Sequence, residues 1–164
     1  MTQEEKIVQF LDDNKMSVAT AESCTGGLVC SKIVDVPGAS NVLNESFITY
    51  SNKAKVKLLG VKRSTLKKYG AVSKKCAKQM AEGAAKAAKS DAAISVTGIA
   101  GPGGGTDEKP VGLVFIGCFV KGKCKVKKFL FDGDRRQVRE RSAEEALNLL
   151  YKCLKKSYDR KGEK

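Results

Sequence analysis

The chain contains no histidine. A Ser-His-Asp or Cys-His catalytic arrangement is therefore excluded, and so is any metal site built on imidazole. A hydrolase on this chain would have to take its base from a lysine, a tyrosine or a carboxylate. Tryptophan is also absent and aromatic residues make up only 6%, which leaves little with which to stack nucleic-acid bases. No apolar run approaches the ~18 residues needed to cross a bilayer. The longest, Val111–Val120, is broken by Gly112 and Gly117 and reads as a buried strand. No C-x-x-C pair exists, so a zinc ribbon or thioredoxin-type site has no footing. The six cysteines, Cys24, Cys30, Cys76, Cys118, Cys124 and Cys153, read instead as reduced thiols filling small core sites. Residues 1–15 are charged and mixed, with no signal-peptide core, so a cytoplasmic protein with no membrane association is expected.

What is present is charge of one sign. Lysine and arginine number 31 against 18 acids, a formal net charge of +13. Twelve of the basic residues fall in Asn52–Lys89, where the one acid is Glu82. The surplus suggests attraction of anions. Its helical spacing among alanines points to solvated helix faces and a phosphorylated small molecule ahead of nucleic acid.

At 164 residues the chain is the size of one domain with its own core, and a single domain over 1–164 is expected. Thr2 and Glu5 form a capping box ahead of the apolar face Ile7, Val8, Phe10, Leu11. Ser17–Ala21 reads as a strand, and a helix follows from about Thr25 to Val34, closed by Pro37-Gly38. Phe47–Ser51 reads as a strand running into a lysine-rich helix to about Leu59. Ser73 is placed to cap a long alanine-rich helix. Asp91–Thr97 is a strand leading into the glycine-rich stretch Gly98–Gly105. Val111–Val120 and Cys124–Phe131 flank Lys121-Gly122-Lys123 as a hairpin. Asp134 with Gln137 opens a last helix, and the basic tail 155–164 is expected to fray. Helices alternating with strands, plus one late hairpin, predict a layered α/β/α domain with a mixed β-sheet.

The segment Glu22-Ser23-Cys24-Thr25-Gly26-Gly27 follows a buried strand and opens a helix. Backbone N–H groups at such a turn suit an anion, although a plain strand–helix turn capped by Thr25 reads equally well. Tyr50 and Lys55 end one strand and begin the next helix, so both can face one cleft. Lys55 becomes a base only if burial or neighbouring cations lower its pKa from ~10.4. Cys24, at a helix start beside Ser23, is a rival nucleophile. The glycine-rich stretch lacks the G-K-[ST] of a P-loop.

Three segments then carry a resemblance. They are Thr20–Gly27, Thr49-Tyr50-Ser51-Asn52-Lys53-Ala54-Lys55, and Val96–Gly105 followed by Lys109-Pro110-Val111-Gly112. With Gly70–Ser73 and Gly133-Asp134-Arg135, they resemble the C-terminal domain of the competence/damage-inducible CinA proteins. Stand-alone members of that family are nicotinamide-nucleotide amidohydrolases, and larger ones carry an extra N-terminal domain to which nothing here corresponds. The resemblance implies a covalent mechanism without metal or cofactor. Nicotinamide mononucleotide would be deamidated to nicotinic acid mononucleotide and ammonia, with Ser23 as nucleophile, Lys55 as its base and Tyr50 as their partner. It implies substrate binding by Thr25, Gly26, Gly27, Thr97, Gly98, Gly101 and Arg135; within the basic surplus, Arg135 and Arg139 are the candidates for direct contact with the 5′-phosphate. It departs from the family at Gly103, where an acidic residue is common, although Asp107 lies nearby in sequence. A non-catalytic adaptor linked to DNA uptake or damage is the alternative, and a homodimer is left open.

Overall fold

In the computed structural model, which describes residues 1–162, Thr2 opens helix α1 (Gln3–Asp13) through the expected reciprocal capping box with Glu5. The chain then enters strand β1 (Val18–Glu22), whose five residues are all buried. Helix α2 is shorter than its sequence suggests, Leu28–Val34, because Gly26 and Gly27 take φ values of 60° and 104° and Gly27 becomes the N-cap. That left-handed turn delays the helix by three residues, and only glycine enters it without steric cost.

Strand β2 is reduced to Phe47–Ile48, because it lies at the sheet edge and pairs only through Ala21–Phe47 and Glu22–Ile48. Ser51 accepts from Ala54 N–H and starts α3 (Asn52–Leu59). A short helix without a side-chain cap follows, α4 (Arg63–Tyr69); no capping signature marks it in the sequence. Ser73 caps α5 (Lys74–Ala88) through Cys76 N–H. Strand β3 (Ala92–Gly98) leads through the glycine-rich loop to the hairpin of β4 (Leu113–Val120) and β5 (Lys123–Leu130). The reciprocal bonds of Asp134 and Gln137 then open α6 (Arg135–Gly162). This helix runs on through 155–162, where fraying was expected. The edge-on contact of Tyr158 with Phe10, 5.9 Å between centroids, continues its packing beyond Leu154. Residues 163 and 164, the rest of that expected tail, lie outside the described residues.

The strands form one mixed sheet in the order β2-β1-β3-β4-β5, parallel from β2 to β3 and antiparallel from β3 to β5. Alternation along β3 sends Ala92, Ile94 and Val96 to one face, against α1, α2 and α6. Ala93 faces the other side, where Met80, Ala84 and Ala85 of α5 pack beside Leu59 of α3. The second interface is close because it is built of small residues. A Cβ at Gly117 would lie 2.7 Å from Ala77 O, and Ser95 Oγ donates to that same carbonyl at 2.6 Å. The chain is thus the layered α/β/α domain with a mixed sheet that the pattern predicted. Among the described residues no helix is long and apolar enough to cross a membrane.

Candidate active site

The carboxyl ends of β1, β2 and β3 lie side by side, the place where open parallel sheets present ligand sites. Ser23 is the first residue past β1, and its backbone N–H donates to Val96 O at 3.0 Å, which extends the ladder to β3 and fixes the serine at the sheet end. Glu22 points the opposite way, as strand alternation requires. Its carboxylate is fully buried and accepts from Thr25 Oγ1 (2.7 Å), Val29 N–H (2.8 Å), Cys30 N–H (3.0 Å) and Thr20 Oγ1 (3.1 Å). An anionic acceptor thus satisfies the first N–H groups of α2 and ties the turn to the strand. No local sequence signature marks this role, because the capping group stands on the strand.

Lys55 sits in the first turns of α3 and is 1% exposed. Its Nζ lies 2.9 Å from Ser23 Oγ and donates to Thr49 O at 2.7 Å and Tyr50 O at 3.3 Å. Burial lowers its pKa from the ordinary lysine value. Burial, not the neighbouring lysines expected to share in it, is the cause, against smaller upward pulls from Cys76 and Cys24. The Cys24 thiol is buried as well, and desolvation pushes it up to about 11. It is thereby held protonated at neutral pH, so the helix-start activation expected of a rival nucleophile is absent.

A cavity of about 320 Å³ opens over this pair. Ser23, Lys55, Thr97, Gly98, Gly101 and Arg135 all line it, as does Gly103. Thr97 contributes with its hydroxyl already donated to Ala71 O at 2.9 Å. Gly101 takes φ 87°, and a Cβ there would fall 2.5 Å from Val111 Cγ1, so the loop packs on Val111 only as glycine. At Gly103 nothing lies within 4 Å of an added Cβ, so the acidic side chain common in the family has room. Asp107 is exposed and does not line the cavity, so it does not stand in for that acid.

Thr25, Gly26 and Gly27 are not among the residues that line this cavity. Arg139 donates to Cys24 O at 3.0 Å and Thr25 O at 2.9 Å. Arg139 therefore braces the turn and is not among the cavity residues. The Tyr50 side chain is 62% exposed at the rim, and its hydroxyl accepts from Arg135 at 3.2 Å. Tyr50 reaches Lys55 through its backbone carbonyl, not through its phenol. Arg135 also donates to Gly101 O at 2.8 Å, linking the rim to the glycine loop.

Fold and site together define a layered α/β protein with a buried serine–lysine pair at the carboxyl ends of its parallel strands. The chain belongs to the CinA C-terminal domain family, whose model matches residues 1–154. It is 54% identical over 156 residues to a competence-damage inducible protein of Clostridium perfringens, covering 95% of this chain and 38% of that one. It is 55% identical over 151 residues to a CinA-like protein of Kosmotoga olearia, covering 92% and 37%. The chain thus spans well under half the length of these relatives. Among solved structures it resembles the competence/damage inducible protein CihA of Agrobacterium tumefaciens, with a TM-score of 0.86 at 37% identity over 94% of this chain and 97% of that one. A CinA superfamily protein of Klebsiella pneumoniae gives 0.89 at 30% identity, over 93% and 95%.

Proposed function

We propose that the chain is an amidohydrolase that converts nicotinamide mononucleotide to nicotinic acid mononucleotide and ammonia, with Ser23 as nucleophile and Lys55 as its base. The observation that carries this reading is the buried contact of Lys55 Nζ with Ser23 Oγ at 2.9 Å. A neutral amine has two N–H donors and one lone pair. The carbonyls of Thr49 and Tyr50 take the two donors, which leaves the lone pair directed at the Ser23 hydroxyl. A protonated lysine finds three acceptors in the same three groups. The proton therefore moves from Ser23 to Lys55 and on to the leaving ammonia without any side chain being rearranged.

Ser23 Oγ attacks the carboxamide carbon as Lys55 takes its proton. Ammonia departs with that proton, and water hydrolyses the resulting acyl-enzyme with Lys55 again as base. In the glycine loop Ile99 N–H is committed to Leu113 O, so within that loop the oxyanion donors are Ala100 and Gly101 N–H in the cavity lining. Arg135, with N–H donors to spare beyond Gly101 and Tyr50, is the cation best placed for the 5′-phosphate.

Ammonia release from nicotinamide mononucleotide, compared between the native chain and Ser23→Ala, tests the assignment. The adaptor reading has one feature in its favour, a cationic groove between α3 and α4 lined by Lys53, Lys57, Arg63 and Lys67. If that groove served nucleic acid, a catalytically silent protein would retain DNA as salt rises. We expect turnover, and DNA retention that disappears with salt.

A further inference from the structure

Antiparallel pairing of Ala92 with Val120 places the tip of the β4–β5 hairpin at the opposite end of the sheet from Ser23. There the last turns of α6 close a second cavity, of about 430 Å³. Cys118 of β4, Cys124 of β5 and Cys153 of α6 all line it. Around them stand Lys121, Lys123, Lys125, Lys156, Arg160 and Lys161, and among the described residues no acid lines the cavity. The catalytic reading uses none of these groups.

The three thiols are not equivalent. Cys118 is buried in the core, whereas Cys153 is only partly buried, and both line the cavity. Cys118 beside it, with help from Lys125 and Lys156, lowers the Cys153 thiol to about 7; Cys153 and burial raise Cys118, and burial pushes Cys124 up to about 11. Two thiols lining one cationic cavity, one buried and one partly open, are the arrangement of a resolving and an attacking cysteine.

We propose that this cavity is a modification site at which Cys153 undergoes thiol–disulfide exchange with an anionic small-molecule disulfide and Cys118 resolves the adduct. The Cys153 thiolate attacks one sulfur of the incoming disulfide, whose S–S bond breaks and releases the first thiolate. Cys118 then attacks the Cys153 sulfur, giving up its proton and expelling the second thiolate. The two cysteines are oxidised to one disulfide, and the incoming disulfide is reduced to two thiols that carry the two protons. The cations select negative charge by raising its local concentration and association rate.

The test treats the reduced full chain with oxidised glutathione or with cystamine, a cationic disulfide, and maps the products by peptide mass. We expect a Cys118–Cys153 disulfide forming about tenfold or more faster with oxidised glutathione at low salt. The preference should be lost in Lys125→Glu/Lys156→Glu. Cys118→Ala, which places no hydroxyl in the core, should stop the reaction at glutathione bound to Cys153. Equal labelling of Cys30, Cys124 and Cys153, or a rate with cystamine as high as with oxidised glutathione, would overturn the proposal.

Discussion

Lys55 Nζ and Ser23 Oγ stand 2.9 Å apart, one from the start of α3 and one from the end of β1, with both side chains buried. Thirty-two residues of chain separate them, and the link is made by β2, which lays Thr49 beside Glu22 through a 2.9 Å backbone bond. The edge strand is only two residues long, yet it aligns the carbonyls of Thr49 and Tyr50 that hold the lysine.

The first prediction separates Ser23 from Cys24. With its thiol pushed up to about 11, Cys24 offers little thiolate at neutral pH. Ser23→Ala should abolish ammonia release, and Cys24→Ala should keep most of it. Iodoacetamide should inhibit slowly at most. The reverse mutant pattern would make this a cysteine enzyme.

Arg135 supplies the second. Loss of a charge-assisted hydrogen bond of ~1.5–3 kcal/mol to the phosphate should raise KM for nicotinamide mononucleotide at least about tenfold in Arg135→Ala, with kcat less affected. Nicotinamide riboside, which lacks the phosphate, should be hydrolysed slowly and with little response to the substitution. A fall in kcat alone for the mononucleotide would place Arg135 in the chemistry and not in binding.

Glu22 gives a stability prediction. Glu22→Ala leaves Val29 and Cys30 N–H and two threonine hydroxyls without their buried acceptor. At ~1–3 kcal/mol for each buried group left unpaired, the loss should reach roughly 3 kcal/mol or more. Urea unfolding midpoints measure it, and a loss below ~1 kcal/mol would show that water replaces the carboxylate freely.

Much of this arrangement is legible in the sequence. Ser73, the Thr2–Glu5 and Asp134–Gln137 pairs, and the Lys121-Gly122 turn with φ values of 46° and 85° all act through neighbours in the chain. What escapes is set at a distance. The depth of Lys55 comes from α5 packing against α3, which no spacing of lysines reveals. The carbonyls of Cys24 and Thr25 leading into the Gly26-Gly27 turn are held by Arg139, more than a hundred residues later. The phenol of Tyr50 is likewise claimed by Arg135 from α6.

Burial of Lys55 also dictates how stability varies with pH. Its folded pKa is depressed, so between that value and the ordinary one, ~10.4, the unfolded chain binds the extra proton. Stability should therefore rise with pH across this window and level off above it. Lys55→Met should lose that slope. Urea midpoints for the two proteins at a series of pH values give the comparison, and parallel curves would mean that Lys55 ionises in the fold as it does in water.

The central claim is that a neutral Lys55 takes the Ser23 proton, and the pH dependence of turnover in the native chain, Lys55→Arg and Lys55→Ala tests it most directly. Arginine keeps the positive charge but does not deprotonate. The native rate should rise with pH along a single ionisation well below ~10.4. Once both variants are shown to be folded, each should lose ~10²–10⁴-fold. Near-native turnover in Lys55→Arg would contradict the account, leaving Lys55 as an electrostatic anchor and the base elsewhere.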